Sequence, residues 1–131
     1  MKTGEVITVS IEADMLFSAF TLQVSDGDTY EFYSDKNQRW KDWFISSSPD
    51  GFFNLFAWMA GLRVKGVKCF CLCGCYNNDI STAFAIGSYR KNDVKTNGHL
   101  SFFANDAPKH YNNNEGAIEM TITAIKTAEA S

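Results

Sequence analysis

From Ala117 to Ile125 every second residue is apolar: Ala117-Ile118-Glu119-Met120-Thr121-Ile122-Thr123-Ala124-Ile125. A period of two puts one row of side chains on a dry face and the other on a wet one, which is the pattern of a half-buried β-strand. The same alternation recurs in Glu5-Val6-Ile7-Thr8-Val9-Ser10-Ile11, in Phe17 to Val24 and in Thr29-Tyr30-Glu31-Phe32-Tyr33. Ser25-Asp26-Gly27-Asp28 lies between the last two, and Asp-Gly readily takes the positive φ values of a tight hairpin turn. Further strands are expected at Leu62–Val64, Val67–Cys75, Ala83–Ile86 and Leu100–Ala104. Ser34 to Gly51, which carries Trp40 and Trp43, reads as a long loop.

One stretch breaks the pattern. Phe52-Phe53-Asn54-Leu55-Phe56-Ala57-Trp58-Met59-Ala60 has no Gly or Pro and is apolar nearly all round, so it reads as a short buried helical segment belonging to the core. Seven or eight short strands with at most one short helix predict an all-β sandwich or jelly roll. The chain of 131 residues fits a single domain, residues 1–131, able to bury its core without disulfides. No repeat, low-complexity tract or linker divides it.

Charge narrows the partners. A net charge of −3, with Lys and Arg scattered singly, gives no basic face for nucleic acid and no patch for an anionic membrane. Met1-Lys2-Thr3-Gly4-Glu5 is not the start of a signal peptide. The uncharged run around Pro49 and Gly51 is too broken and polar to insert in a bilayer. Cytoplasmic synthesis is expected, with release by lysis or an unconventional route left open.

Cys69, Cys71, Cys73 and Cys75 invite a zinc reading. On a straight strand, however, residues two apart lie about 6.6–6.8 Å from each other. Four sulfurs at roughly 2.3 Å from one zinc must be much closer together. Buried cysteines acting as small hydrophobes in a reducing compartment are expected instead. Only His99 and His110 supply imidazole, and no nucleophile elbow, phosphate loop or dinucleotide fingerprint is present. Asp26, Asp28, Asp35 and Asp50 lie in turns, where Asp is ordinary, so no glycosidase pair stands out. A non-enzymatic binding module is the expectation.

The loop Asn105-Asp106-Ala107-Pro108-Lys109-His110-Tyr111-Asn112-Asn113-Asn114-Glu115-Gly116 concentrates carboxylate and amide oxygens between two β-runs. Such hard oxygens suit calcium. They are also the ordinary residues of turns, and composition alone leaves a plain loop the simpler reading. Their order adds information. Asn105-Asp106-Ala107-Pro108, then Tyr111, then Asn113-Asn114 and Gly116 before an alternating strand, resembles the C-terminal signature of the LecA (PA-IL) family of bacterial calcium-dependent galactose-binding lectins. The likeness is strong over Asn97 to Ile122. Gly4-Glu5-Val6, Gly27-Asp28, Gln38-Arg39-Trp40, Gly61-Leu62-Arg63-Val64 and Ala83-Phe84-Ala85-Ile86-Gly87 are looser matches in the right order.

The resemblance implies a small lectin-type β-sandwich holding Ca2+ at one end. By it, Asp106 is the anionic ligand, Asn113 and Asn114 give side-chain carbonyl oxygens, and His110 gives a backbone carbonyl, so that its imidazole plays no necessary part. A further backbone carbonyl comes from Ser34 or Tyr33. That makes about five protein groups, leaving open positions of the six to eight for sugar hydroxyls. Asp106 and Asn113 would then also contact the sugar. Ser48-Pro49-Asp50-Gly51 matches the family's sugar-side loop, where Ser48 stands in place of a His and a Gln has no counterpart. Asp50 remains to accept from a hydroxyl, but the loss of two groups weakens the case for galactose itself. Trp43, Phe44 and Tyr111 are candidate sugar-stacking rings, while Trp40 reads as core. The expected partner is a glycan with a galactose-like terminal sugar, and a homo-oligomer would gain avidity from repeated weak sites. The alternative is a structural or protein-interaction module with structural calcium or none.

Overall fold

The computed structural model describes residues 1–55, 59 and 61–128. Eleven strands among them build the fold: β1 (Val6–Glu12), β2 (Leu22–Val24), β3 (Thr29–Tyr33), β4 (Trp40–Asp42), β5 (Ile45–Ser47), β6 (Leu72–Tyr76), β7 (Phe84–Ala85), β8 (Tyr89–Asp93), β9 (Gly98–Ala104), β10 (Asn114–Glu115) and β11 (Ala117–Lys126). Two 3₁₀ turns, Ile80–Thr82 and Pro108–Asn113, interrupt them. One sheet runs β1-β11-β3-β8 and a second runs β2-β9-β6-β7, while β10-β4-β5 form a small third sheet. The expected β-sandwich is present.

The alternating strands do what their pattern requires. In β11 the residues Ile118, Met120, Ile122 and Ala124 turn inward, with Thr and Glu between them turned out. Their row joins Ile11, Tyr30 and Phe32 and meets Leu22, Leu72, Leu100, Phe102 and Ala104 of the second sheet in one buried cluster. Phe32 and Phe102 pack edge to face across the interlayer, with ring centroids 5.6 Å apart. Such burial stabilises by roughly 1.5–3 kcal/mol for each large apolar side chain.

The second sheet is buried on both faces. Its outer side carries Cys71, Cys73, Cys75 and Phe103 under Phe17, Val64, Val67 and Ile80. This is why Phe70 to Cys75 and Leu100 to Ala104 read as nearly unbroken apolar runs. The four cysteines are free and buried, as expected of small hydrophobes.

Several expected elements differ. Only Leu22–Val24 of the expected Phe17–Val24 strand is strand, because Ser18 takes the ladder bonds nearer its start: its Oγ accepts from Phe102 N–H (3.0 Å) and donates to the Phe20 carbonyl (2.6 Å). Leu62–Val64 is loop rather than strand. The long loop before Gly51 contains the β4–β5 hairpin, and β8 was not foreseen. Of the apolar segment expected in the core, Phe52 packs half-buried against it, whereas Phe53, Leu55 and Met59 are 77, 50 and 69% exposed, with helical backbone at Leu55 and Met59; residues 56–58 and 60 lie outside the described residues. No helix among the described residues is long and apolar enough to cross a membrane.

Candidate functional site

Asn105 fixes the start of the Asp106 loop. Its Oδ1 accepts from Val64 N–H (3.0 Å), and its Nδ2 faces the carbonyls of Val64, Val67 and Lys68 at 3.0–3.2 Å. Its backbone carbonyl accepts from Phe70 N–H (2.6 Å), and its own N–H donates to the Cys71 carbonyl (3.0 Å). One buried amide thus clamps residues 64–71 against the end of β9. Asp106 and Cys69 are brought together by that clamp. Gly51 tightens it from the other side: with φ at +80°, a Cβ there would stand 2.5 Å from the Cys69 carbonyl oxygen, so no larger residue fits.

The other end of the loop is fixed by pairing. Asn114 and Glu115 of β10 lie opposite Asp42 and Lys41 of β4, and Trp43 N–H donates to the Asn113 carbonyl at 2.9 Å. The tip of the β4–β5 hairpin is thereby laid over the 3₁₀ turn. Between them lies a cavity of about 350 Å³ lined by Asp42, Trp43, Phe44, Ile45, Asn54, Asp106, His110 and Asn113. Asp106, His110 and Asn113 therefore meet around one space.

Asp106 is the floor of that space and is 1% exposed. Its Oδ1 accepts from Ala107 N–H at 2.8 Å, whereas Oδ2 is buried without a hydrogen-bond partner. Asn114, 6% exposed, donates from Nδ2 to the Ala13 carbonyl (3.0 Å), and its Oδ1 is likewise buried and unpartnered. It lies close enough to Asp106 to favour the carboxylate, without a well-formed bond to Oδ2. Buried acceptors are ordinarily satisfied. Two orphaned oxygens on neighbouring side chains are what a bound cation would complete, so the donor set fits calcium in kind.

Electrostatics point the same way. Burial raises the Asp106 pKa, with partial relief from the Ala107 N–H, Asn114 and the charge of His110. Burial also raises Asp42, and the nearby Asp106 charge adds to it. Cys69 is pushed up to about 12 by burial and then by Asp106 and Asp42. One carboxylate oxygen from each of Asp42 and Asp106 lies with Cys69 Sγ so that all three are within 4.8 Å of one another.

Other sequence-derived candidates stand elsewhere. Ser34, 1% exposed, donates its N–H to the Ser88 carbonyl (2.9 Å) and does not line the cavity. Asp50 Oδ1 accepts from Ser88 N–H at 2.6 Å, and Ser48 Oγ accepts from Asp50 N–H at 3.2 Å. Ser34, Ser48 and Asp50 are thus tied into a turn network around Ser88 and are not among the residues lining the Asp106 cavity. Tyr111 is 5% exposed, with its hydroxyl donating to the Ala104 carbonyl and accepting from Arg63 at 2.9 Å, so its ring has no face to offer a ligand. Trp43 and Phe44 are 68 and 70% exposed at the cavity rim, their ring centroids 4.4 Å apart. Trp40 is fully buried, as expected, and donates from Nε1 to the Phe70 carbonyl (3.1 Å).

Asp42 and Cys69 were not foreseen. Asp42 stood in an apparent loop, and its only signal was the adjacent aromatic pair Trp43-Phe44. Cys69 was grouped with three cysteines it does not join.

The architecture is an all-β sandwich. Among solved structures, the chain is similar to a domain described as the EclA N-terminal domain, a PllA-like lectin, with a TM-score of 0.67 and 14% identity over 91% of this chain and 97% of that one. At that identity the likeness establishes a shared fold. No protein-family model matches the chain, and no curated protein matches it.

Proposed function

We propose that the chain is a non-enzymatic, LecA-like carbohydrate-binding module that captures a terminal sugar at the Asp106 cavity through Ca2+. The observation that carries this reading is the buried Asp106 Oδ2, without a partner, on the floor of a cavity whose rim is two exposed aromatic rings. The fold shared with a described lectin supports it.

Asp106 and Asp42 supply the negative charge, and Asn113, which lines the same cavity, supplies a side-chain carbonyl. Asn114 Oδ1 is a further oxygen beside them. The backbone carbonyl assigned to His110 by resemblance completes the set, while the role assigned to Ser34 falls more naturally to the β4–β5 tip, which overlies the loop. Calcium bound here would draw sugar hydroxyl lone pairs into its open coordination positions. Trp43 and Phe44 would hold the apolar C–H face of the ring. With Ser48 and Asp50 outside the cavity lining, selection among galactose-like sugars rests on the hydroxyl geometry at the cation and on the aromatic rim.

Calcium titrated by calorimetry into chelator-treated protein, with Asp106→Ala as control, tests the site. Stoichiometric binding lost in the variant is expected, followed by glycan-array binding that disappears on chelation. Absence of calcium binding in the parent chain sinks the reading. A protein-interaction module would then be favoured by the exposed Phe53, Leu55 and Met59.

A further inference from the structure

Cys69 stands apart from the other cysteines. Cys71, Cys73 and Cys75 pack with Phe103 on the outer face of the second sheet. Cys69 instead belongs to the main core, with its Sγ 4.0 Å from Asp42 Oδ2. Its thiol donates to Asp42 Oδ2 and has a second carboxylate nearby, a setting that apolar filling does not require. As a metal ligand the thiol gains a great deal from it.

The donor chemistry is specific. Calcium takes oxygen and has no use for a thiol. A borderline ion such as zinc binds thiolate at about 2.3 Å, carboxylate at roughly 2.0–2.2 Å and imidazole at about 2.0–2.1 Å. Tetrahedral bond lengths of that size put neighbouring donors about 3.5 Å apart. Cys69 Sγ and one oxygen each of Asp42 and Asp106 already lie within 4.8 Å of one another, so side-chain shifts of about 1 Å close the set. His110 lines the same cavity. The backbone under Cys69 is held by its bridge to Phe52 and by the close approach of Gly51.

A second observation, separate from the proximity of the three donors, points to a ligand. Asp106, one of the three residues of this group, is 99% buried, and its Oδ2 has no hydrogen-bond partner. The geometry points to a zinc site, or one for a similarly thiophilic divalent ion, formed by Cys69 Sγ and the carboxylates of Asp42 and Asp106, with His110 as the fourth donor. This rests on reading the cavity as a cation site and shares Asp42 and Asp106 with the calcium reading, but it asks for a different ion and adds the Cys69 thiolate and the His110 imidazole, which that reading leaves aside. On binding, the Cys69 S–H bond is replaced by a sulfur–metal bond and the proton passes to solvent.

Cobalt(II) reports thiolate ligation directly, through sulfur-to-metal charge transfer in the near ultraviolet and intense visible bands in tetrahedral geometry. The reduced, chelator-treated full chain is titrated with cobalt and then with zinc, beside Cys69→Ser, Asp42→Asn and, as a thiol control, Cys75→Ser. One equivalent of cobalt with a charge-transfer band, displaced by zinc, is expected in the parent and in Cys75→Ser. Cys69→Ser should lose the band and weaken zinc binding by at least about tenfold. Cobalt bound without charge transfer, or no binding of cobalt and zinc in the parent, overturns the proposal whatever the variants do. Should Cys69→Ser fail to fold, the parent spectrum together with weakened binding in Asp42→Asn decides. Calcium and glycan binding measured on the same proteins separate the two readings: zinc refused with calcium retained removes only the zinc site.

Discussion

Asp42 lies directly opposite Asn114 across the β4–β10 ladder. The pairing places a second carboxylate beside Asp106 at the cavity, and so changes the charge a cation would meet there from one negative group to two. Asp42 is only half buried, so replacing it should leave the fold intact. Asp42→Asn is expected to lower divalent-cation affinity about tenfold or more, equivalent to about 1.4 kcal/mol, with an unchanged thermal midpoint in chelator. Calorimetry and a melting curve check both halves. Unaltered affinity would remove Asp42 from the site.

Asn105 does the holding from below. Its side chain meets Val64 N–H and three carbonyls of residues 64–68, groups that would be buried and unpaired without it. Leaving buried polar groups unsatisfied costs about 1–3 kcal/mol each, and here several share one partner. Asn105→Ala should therefore destabilise the protein by about 3 kcal/mol in urea unfolding. It should also weaken cation binding, because Asp106 follows directly and Cys69 is in the clamped segment. A loss below about 1 kcal/mol would show that the loop is held elsewhere.

How far the fold was legible follows from which faces are wet. β1, β3 and β11 have one dry face and one wet, and their alternation located them to within a residue or so. β6 and β9 are dry on both faces, so their sequence says "buried" but not where pairing begins. The β4–β5 hairpin was hidden because its turn, Trp43-Phe44, contains none of the Gly, Asn or Asp that announce one. Asp42 could not be placed without that hairpin. Cys69 was obscured differently: Phe70 has φ at +64°, which breaks the alternation and sends Cys69 to the main core, away from Cys71. Asp106, His110 and Asn113 could be grouped because they lie in one short loop, whereas Ser34 and Asp50 come from separate loops whose place relative to it depends on the tertiary fold, where both bond to Ser88.

Acid should loosen the chain at a place far from the cavity in sequence. Asp28 is 3% exposed and accepts from Ala128 N–H (2.6 Å), Ser25 N–H (2.9 Å) and Tyr30 Oη (2.8 Å). Burial alone would raise its pKa, but these bonds outweigh burial and hold it below the usual carboxylate value. A carboxylate with a depressed folded pKa binds fewer protons folded than unfolded. Its stabilisation is complete above about pH 4 and is lost as pH falls through the folded value. Asp28→Asn should cost about 2 kcal/mol at pH 7, and the gap to the parent should narrow steadily below pH 4. A gap independent of pH would mean that Asp28 acts by shape and not by charge.

Trp43 carries the most direct trade between stability and binding. It sits at φ +58° in the hairpin turn, a conformation that costs an L-residue roughly 1–2 kcal/mol and glycine nothing, yet its ring is 68% exposed and buries little in return. Strain at an exposed aromatic is intelligible if the ring serves a ligand. Trp43→Gly should therefore stabilise the protein by up to about 1 kcal/mol, less than the full relief because glycine also gains freedom in the unfolded chain. Trp43→Ala keeps the strain and should be close to neutral. Both should lose glycan affinity alike, by about threefold to tenfold, since a ring contact of this kind is worth about 0.5–1.5 kcal/mol. Thermal melts and glycan titrations on the two variants give four numbers. Equal losses of affinity with unequal stabilities would assign the ring to recognition and the strain to the backbone, whereas retention of affinity in both would remove Trp43 from the sugar site.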